Sequence, residues 1–351
     1  MGKSRVLVTG GAGYIGAHTA VELHNAGYEV IIADNFSNSS PSVLEGIAKI
    51  TGVRPLFKET DCADQSEVNS LFEEFPGISA AIHFAAYKSV GESVIKPVEY
   101  YRNNIQSLIC LLEALTAKGK AGAVVFSSSC TVYGQPSEDH LPVGEDAPLQ
   151  KAASPYGRTK QICEDILADC AYALEGRLKA ISLRYFNPVG AHPSALIGEL
   201  PRGVPQNLLP FVTQTAARVR DELRIFGSDY NTPDGTCIRD YIYVCDLAKA
   251  HIKALDRMLS PDGKMAENIE FYNLGTGRGL SVLEVVNGFM SATGVNVPYK
   301  ITERRAGDVE KVWANPSKAN KELLWSAGTP VEEVFKSAWE WEKRIRGMSG
   351  S

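Results

Sequence analysis

The sequence predicts an α/β fold: a doubly wound parallel sheet with a smaller mixed α/β substrate-binding region. Three observations predict it. Short apolar runs alternate with helical stretches through the first half of the chain, a glycine-rich turn follows the first run, and the alternation loosens after about residue 190. Neighbouring parallel strands need a crossover connection, so this alternation indicates a parallel sheet with helices packed on its faces.

Apolar runs in the first half predict six buried strands, at residues 5–8, 29–33, 55–57, 80–84, 123–126 and 180–184. Helical periodicity predicts helices at about 14–26, 64–75, 97–117, 155–174, 245–258, 281–292 and 331–345. Shorter strands are predicted at 223–226, 269–273 and 297–301. The Pro- and Gly-rich residues 190–210 predict a long ordered loop, a form common at binding sites.

Composition narrows the class of protein. The chain has 351 residues and a formal net charge of −5, which argues against a nucleic-acid partner. It lacks an apolar run of about 18 residues, so no membrane span is expected, and its start leaves no room for a signal peptide. Seven cysteines are scattered without a close pair. This predicts reduced thiols, a cytoplasmic location and no bound metal.

The first strand ends in a glycine-rich turn. Gly10, Gly13 and Gly16 have the spacing G-x-x-G-x-x-G, and a predicted helix begins beside them. Such a turn lets a pyrophosphate approach main-chain N–H groups, and the helix N-terminus adds partial positive charge. The strand–turn–helix context therefore predicts a dinucleotide site and a Rossmann-type sheet.

Asp34 closes the second predicted strand, eighteen residues after Gly16. A carboxylate there accepts hydrogen bonds from the adenosine ribose and repels a 2′-phosphate, which predicts NAD rather than NADP. The structural alternative is an Asp that merely begins a turn with Asn35.

Tyr156 and Lys160 form a Y-x-x-x-K pattern just after a predicted helix start, so phenol and ammonium share one helix face. A nearby cation lowers the pKa of a phenol from about 10, so we expect Tyr156 to act as a general base. Residues 127–129 are three serines that end the fifth strand. Ser129 is the favoured hydroxyl for the reacting oxygen, with Thr131 as the alternative.

Together these residues resemble the extended short-chain dehydrogenase/reductases, and within that family the nucleotide-sugar 4-epimerases. The resemblance runs from Arg5 to about Trp341. The motifs that carry it lie at residues 8–16, 34–35, 38–39, 83–93, 127–134, 154–160, 185–193, 207–208, 239–243 and 304–308.

The resemblance implies tightly bound NAD and three catalytic residues, Tyr156, Lys160 and Ser129. The cofactor-binding residues it implies are Gly10, Gly13, Tyr14, Ile15, Gly16, Asp34, Asn35, Asn38, Ser39, Asp61, Cys62, Phe84, Ala85, Ala86, Lys88, Asn104, Ser127, Tyr156, Lys160 and Tyr185.

The resemblance also implies a UDP-hexose substrate, with two arginines on the diphosphate. The substrate-binding residues it implies are Lys88, Ser129, Tyr156, Phe186, Asn187, Asn207, Leu208, Arg224, Phe226, Arg239, Arg305, Asp308 and Val312. The implied reaction is reversible inversion of C4 through a 4-keto intermediate, with transient hydride transfer to NAD. The expected organisation is an NAD-binding domain at 1–188, a UDP-sugar-binding domain at 189–346 and a frayed tail at 347–351. We expect some later segments of the second domain to pack back on the first. A homodimer through helices 97–117 and 155–174 is also implied.

Several positions depart from the family pattern. Val189 and Cys237 stand where Thr and Gly are usual, and Arg224 replaces a small residue near the uridine. Val312 stands where side-chain size controls the sugar pocket. Its small side chain predicts that N-acetylated UDP-hexosamines are also substrates.

Three functions are alternatives to C4 inversion of a UDP-hexose. A 4,6-dehydratase needs an acidic pair beside the catalytic hydroxyl, and residues 129–132 (SCTV) offer none. A 4-epimerase of UDP-glucuronate or UDP-pentoses stays open because pocket details decide the substrate. A non-catalytic NAD-sensing protein would have no reason to keep Tyr156, Lys160 and Ser129 together.

Overall fold

The structure is a computed structural model that describes residues 4–174, 176–260, 265–305 and 308–348. Three features of the sequence fall wholly or partly outside these residues: the start of the chain at 1–3, positions 306–307 of the 304–308 motif, and the end of the tail at 349–351.

The described residues contain strands that we number in chain order: β1 Arg5–Thr9, β2 Glu29–Asp34, β3 Leu56–Glu59, β4 Ile78–His83, β5 Gly122–Ser129, β6 Leu178–Tyr185, β7 Asn187–Val189, β8 Leu223–Phe226, β9 Ile238–Arg239, β10 Tyr241–Tyr243, β11 Ile269–Leu274, β12 Leu280–Ser281, β13 Tyr299–Thr302 and β14 Lys311–Val312.

The helices are α1 Tyr14–Ala26, α2 Ser42–Thr51, α3 Gln65–Glu74, α4 Val90–Ile95, α5 Pro97–Thr116, α6 Pro155–Ala173, α7 Leu208–Ala216, α8 Val244–Leu259, α9 Val282–Thr293, α10 Ser317–Glu322 and α11 Val331–Ile345. The sequence patterns missed α2, α4, α7 and α10. Two of these, α4 and α10, have only six residues each, too few for a 3.6-residue period to stand out.

Seven parallel strands form the main sheet in the order β11-β6-β5-β4-β1-β2-β3. The predicted doubly wound α/β class is therefore confirmed. The last strand added, β11, comes from the second half of the chain and pairs along β6 from Ala180 to Tyr185. The sequence placed it among the later short strands, because pairing partners far apart in the chain leave no local signal.

Alternation of side chains along β1 explains why both faces of the sheet are covered. Val6 and Val8 lie in one core cluster with α1 and α8, whereas Leu7 lies in another with α5 and α6. Each of these three side chains is almost fully buried. A strand buried on both faces has a continuous apolar sequence, and this apolar run predicted β1.

A third cluster supports the substrate side. It joins α7, α8, α9 and α11 to β8 and contains the buried rings of Phe289 and Phe335. Small sheets lie beside it: β10 with β7, β13 with β8, and β12-β9-β14. Among the described residues no helix is long and apolar enough to cross a membrane.

Candidate active site

The glycine turn between β1 and α1 packs too closely against neighbouring backbone to hold side chains at Gly10 and Gly16. Gly10 has φ +67°, and a Cβ there would lie 2.8 Å from the Ala85 nitrogen. A Cβ on Gly16 would lie 2.4 Å from the Gly10 oxygen. Gly13 is the N-cap residue of α1 and has no side chain that could cap the helix. The first turn of α1 holds no acidic residue. The helix N–H groups are thus available to a phosphate, which fits a dinucleotide.

Asp34 ties the glycine turn to the loop after β2. Its side chain accepts hydrogen bonds from the Ala12 N–H (3.0 Å), the Phe36 N–H (2.9 Å) and the Ser39 hydroxyl (2.7 Å). The carboxylate is buried, so it is fixed in place at the carboxyl end of β2. Its neighbours Asn35 and Asn38 are exposed beside it. The ribose contact assigned to this group stays a prediction.

Asp61 and Cys62, which the resemblance places near the adenine, lie just after β3. Asp61 accepts the Ala63 N–H at 2.9 Å, which forms the turn before α3. Cys62 packs in the core cluster with Leu7 and Ala33, and burial raises the pKa of its thiol. The adenine contacts assigned to both residues stay a prediction.

The loop after β4 is held from below by Asn104. Its side chain bonds both the N–H (2.8 Å) and the carbonyl (3.0 Å) of Tyr87, and donates to the Thr159 hydroxyl at 3.1 Å. Asn104 is therefore a support of residues 84–88 rather than a free donor. The Ser107 hydroxyl, on α5, donates a hydrogen bond to the Ala85 carbonyl of this loop at 3.2 Å.

Helix α6 presents the Y-x-x-x-K pair at the same sheet edge. Ser154 caps the helix by accepting the Gly157 N–H at 3.2 Å, and Pro155 begins it. The Lys160 ammonium lies 5.8 Å from the centre of the Tyr156 ring and donates to the Ser127 carbonyl at 2.6 Å. Burial lowers the pKa of Lys160 to about 8.

Tyr156 itself is not acidic in this protein alone. Burial raises the pKa of Tyr156, and the hydrogen bond with Ser129 opposes this rise. The lowered pKa expected from Lys160 and a bound nicotinamide ring stays a prediction, because it concerns the protein with its dinucleotide. In the chain alone, desolvation of the phenolate outweighs the other contributions, while the ammonium makes its short bond to a carbonyl.

The three serines at the end of β5 have three different partners. Ser127 bonds the Tyr185 hydroxyl. Ser128 donates to Glu164 at 2.7 Å. Ser129 hydrogen bonds to Tyr156 and also accepts the Thr131 N–H at 3.2 Å. Among these three serines, Ser129 is the one that acts on the Tyr156 phenol, and its catalytic role stays a prediction.

On the substrate side, residues far apart in the chain meet near β8. Arg305 lies 5.3 Å from the centre of the Phe226 ring and pairs with Asp308 at 2.8 Å. Arg224 is exposed on the same face of β8 as Phe226. Arg239 lies near Cys130, the residue after Ser129, and its charge opposes the burial that raises the pKa of the Cys130 thiol to about 11.

The residues predicted around the sugar occupy two places. Phe186 and Val312 are buried in one cluster with Val132 and Tyr133, and Val312 pairs opposite Arg239 between β14 and β9. The other place is the start of α7, which Leu208 begins and where Asn207 is the N-cap residue. Asn187 begins β7 and pairs opposite Tyr241 of β10.

Several residues of the site were missed by the sequence reasoning. Glu199 accepts hydrogen bonds from both Lys88 (3.2 Å) and Asn207 (2.6 Å). Asp240, buried beside Arg239, accepts the N–H groups of residues 276, 277 and 314. Glu164 pairs with Arg184 below the serines at 2.7 Å. Asp240 lies within the motif at 239–243, which was the only sequence signal for it. Glu199 and Glu164 had no such signal, because their partners Lys88 and Arg184 lie in distant segments.

The chain was compared with known proteins. Residues 6–275 match the model of the NAD dependent epimerase/dehydratase family. The chain is 48% identical over 337 residues to the UDP-glucose 4-epimerase of Bacillus subtilis (strain 168), with 96% of each chain covered. It is 46% identical over 346 residues to the UDP-glucose 4-epimerase of Homo sapiens, with 97% of each covered.

Solved structures agree. A UDP-glucose-4-epimerase from Stenotrophomonas maltophila with bound NAD and formylated UDP-arabinopyranose has a TM-score of 0.92 at 46% identity, covering 99% of this chain and 100% of that one. A UDP-glucose 4-epimerase from Bifidobacterium longum in complex with NAD+ and UDP has a TM-score of 0.91 at 44% identity, with the same coverage. The resemblance drawn from the motifs is confirmed, and this chain belongs to the NAD dependent epimerase/dehydratase family.

Proposed function

We propose that this protein interconverts UDP-galactose and UDP-glucose by inverting C4 of the hexose, using tightly bound NAD. The observation that carries the proposal is the meeting of Tyr156, Lys160 and Ser129 at the carboxyl edge of the sheet, where α/β sheets bind ligands. Similarity to UDP-glucose 4-epimerases over 96% of the chain supports the substrate.

The residues around the glycine turn fit NAD. The turn excludes side chains at Gly10 and Gly16, and the start of α1 offers uncapped N–H groups. When bound, NAD supplies a hydride acceptor that gives the hydride back, so the reaction has no net redox change, and its ring carries positive charge. Lowering a phenol pKa from 10 to near 7 requires about 4 kcal/mol of differential stabilisation of the phenolate. The burial of Tyr156 adds to this requirement.

Tyr156 takes the proton of the C4 hydroxyl as that carbon is oxidised, and returns it when the 4-keto sugar is reduced on its other face. Ser129, bonded to Tyr156, is placed to hydrogen-bond the same C4 oxygen. The buried ammonium of Lys160 favours the phenolate.

The sugar must turn between the two half-reactions while it stays bound. Strong contacts to one face of the hexose would prevent this, so the nucleotide should supply the anchoring. Arg239 and Arg305 suit this role, because guanidinium groups match the oxygens of a diphosphate. The ring of Phe226, exposed beside Arg305, is a surface for the uracil.

We include N-acetylated UDP-hexosamines in the substrate range. Val312 is a small side chain that packs against Phe186 in the cluster near the sugar. A small residue there leaves space for an acetamido group.

The proposal extends to assembly and location. A homodimer through α5 and α6 is supported by exposed apolar side chains near their ends, Val98 (65% exposed) and Tyr172 (86% exposed). Light scattering of the purified protein tests it, with a mass near twice 38.1 kDa expected. A cytoplasmic location is supported by seven free cysteines.

The activity is tested by incubating purified protein with UDP-galactose and following product by chromatography and absorbance at about 340 nm. We expect UDP-glucose to form without accumulation of NADH. UDP-glucuronate and a UDP-pentose, supplied separately, should turn over more slowly. Absence of UDP-glucose, or NADH formed in proportion to product, overturns the proposal.

A further inference from the structure

Residues 199–207 form a loop whose two ends meet, because the Asn207 amide donates to the Glu199 carboxylate at 2.6 Å. This loop contacts two segments assigned to the dinucleotide. At the adenosine end, the Arg202 guanidinium donates to the Ser37 carbonyl at 2.9 Å and to the Ser39 carbonyl at 2.5 Å. The Ser39 hydroxyl in turn donates to Asp34 at 2.7 Å. One arginine side chain thus holds the loop assigned to the adenosine ribose.

Glu199 holds the base of this loop, where its two ends meet. Its carboxylate, with 11% of the side chain exposed, accepts the ammonium of Lys88 at 3.2 Å and the amide of Asn207 at 2.6 Å. Its backbone carbonyl accepts the Trp341 ring N–H at 2.8 Å. Lys88 belongs to the loop after β4, which is assigned to the nicotinamide end. Glu199 therefore links that loop to the start of α7.

Polar contacts rather than apolar packing hold the middle of this segment. Leu200 is 43% exposed and Val204 is 57% exposed, so neither contributes much burial. Arg202 and Glu199 are the groups that fasten the segment to two loops that are far apart in sequence.

We propose that Arg202 and Glu199 are positioning residues that slow the release of bound dinucleotide, by fastening residues 199–207 to the two loops assigned to it. The inference rests on the proposed NAD binding and goes beyond it, because neither residue was assigned a contact with cofactor or substrate. Arg202 acts through the backbone of Ser37 and Ser39, and Glu199 acts through Lys88 and Asn207.

The experiment measures release of NAD directly. Purified protein carrying its dinucleotide is mixed with an excess of a fluorescent ethenoadenine analogue of NAD, and exchange is followed over time. Arg202→Gln should exchange about tenfold faster, the scale expected for loss of charge-assisted hydrogen bonds. Arg202→Lys should restore part of the retention, because an ammonium can still donate to these carbonyls. Glu199→Gln should also exchange faster.

The matched control is Arg304→Gln. Arg304 is likewise an exposed arginine that donates to a loop carbonyl, that of Asp229, at 2.5 Å. It should leave the exchange rate unchanged. At saturating NAD, Arg202→Gln should keep wild-type kcat and thermal midpoint, whereas a merely structural role would lower the midpoint.

Equal exchange rates for Arg202→Gln, Glu199→Gln and Arg304→Gln would overturn the inference and leave the proposed function standing. A wild-type protein that neither carries nor takes up a dinucleotide would overturn the proposed function, and this inference with it.

Discussion

The ammonium of Lys160 donates to the carbonyl oxygen of Ser127 at 2.6 Å. This bond fixes the lysine at the end of β5, between the Phe126 ring at 4.8 Å and the Tyr156 ring at 5.8 Å. It leaves a buried positive charge beside the Tyr156 phenol without neutralising it. This arrangement and the packing that supports it have consequences that can be measured.

Activity should fall as pH rises through about 8. Burial lowers the pKa of Lys160 to about 8, so the ammonium is present below this pH and is lost above it. The phenolate then loses its nearby cation. The measurement is kcat/KM against pH, and Lys160→Met should lower it by about 10² and remove the limb near 8.

Lys179→Met is the control for that profile. Lys179 also donates to a backbone carbonyl, that of Met258, at 3.0 Å, but it lies at the amino end of β6. It should keep the wild-type profile. Activity of wild-type protein that stays constant from pH 7 to about 10 would contradict the role given to Lys160.

Glu164→Ala should destabilise the fold strongly. Glu164 and Arg184 are a buried pair, with 3% and 5% of their side chains exposed. The same carboxylate accepts the hydroxyls of Ser128 and Ser182 at 2.7 Å. Removing it leaves the Arg184 charge buried and unpaired, a loss of about 3–5 kcal/mol. Urea unfolding measures this loss.

Two further variants check that reading. Asp165→Ala, at the exposed neighbouring position on α6, should change the free energy of unfolding by less than about 0.5 kcal/mol. Glu164→Leu combined with Arg184→Met should recover part of the loss, since no charge is then left buried. A Glu164→Ala protein as stable as Asp165→Ala would contradict the prediction.

Stability should also fall between pH 7.5 and 5.5. Burial lowers the pKa of both His18 and His83 to about 3. The unfolded chain binds protons on these imidazoles below about 6.5 and the folded chain does not, so stability is lost as pH falls through that value. At pH 5.5 the loss is about 1 kcal/mol for each imidazole.

Urea midpoints at the two pH values measure this loss. NMR of the imidazole C–H protons supplies the control, because the signals of His18 and His83 should not shift between pH 7.5 and 5.5. A titration of either ring near 6.5 would contradict the burial that carries the prediction.

The same structure explains which features could be predicted from the sequence. The glycine turn, the Tyr156–Lys160 pair and the strand-end serines are local patterns, because each lies within one element or one turn. The contacts of Glu199 with Lys88 and of Glu164 with Arg184 join segments 111 and 20 residues apart. No spacing rule reaches that far. The raised pKa of Tyr156 was missed for a related reason: desolvation depends on the whole surrounding fold.

Val312→Tyr should change substrate range rather than catalysis. Val312 is buried with Phe186 and Tyr133, and a tyrosine there would fill the space available to an acetamido group. We expect conversion of UDP-GlcNAc to UDP-GalNAc to be abolished, while the glucose and galactose pair is spared. Both rates are measured on the same preparation. Loss of both activities, or retention of both, would contradict the role of Val312.

Tyr156 should ionise near neutral pH in the NAD-loaded protein, although burial in the chain alone raises its pKa. The most direct measurement is the tyrosinate absorbance of the loaded protein against pH, taken as the difference between wild type and Tyr156→Phe. We expect one tyrosinate with a midpoint at about pH 7, matched to the working pH of a general base. In Lys160→Met the midpoint should be higher. A difference spectrum without tyrosinate below about pH 9 would contradict it.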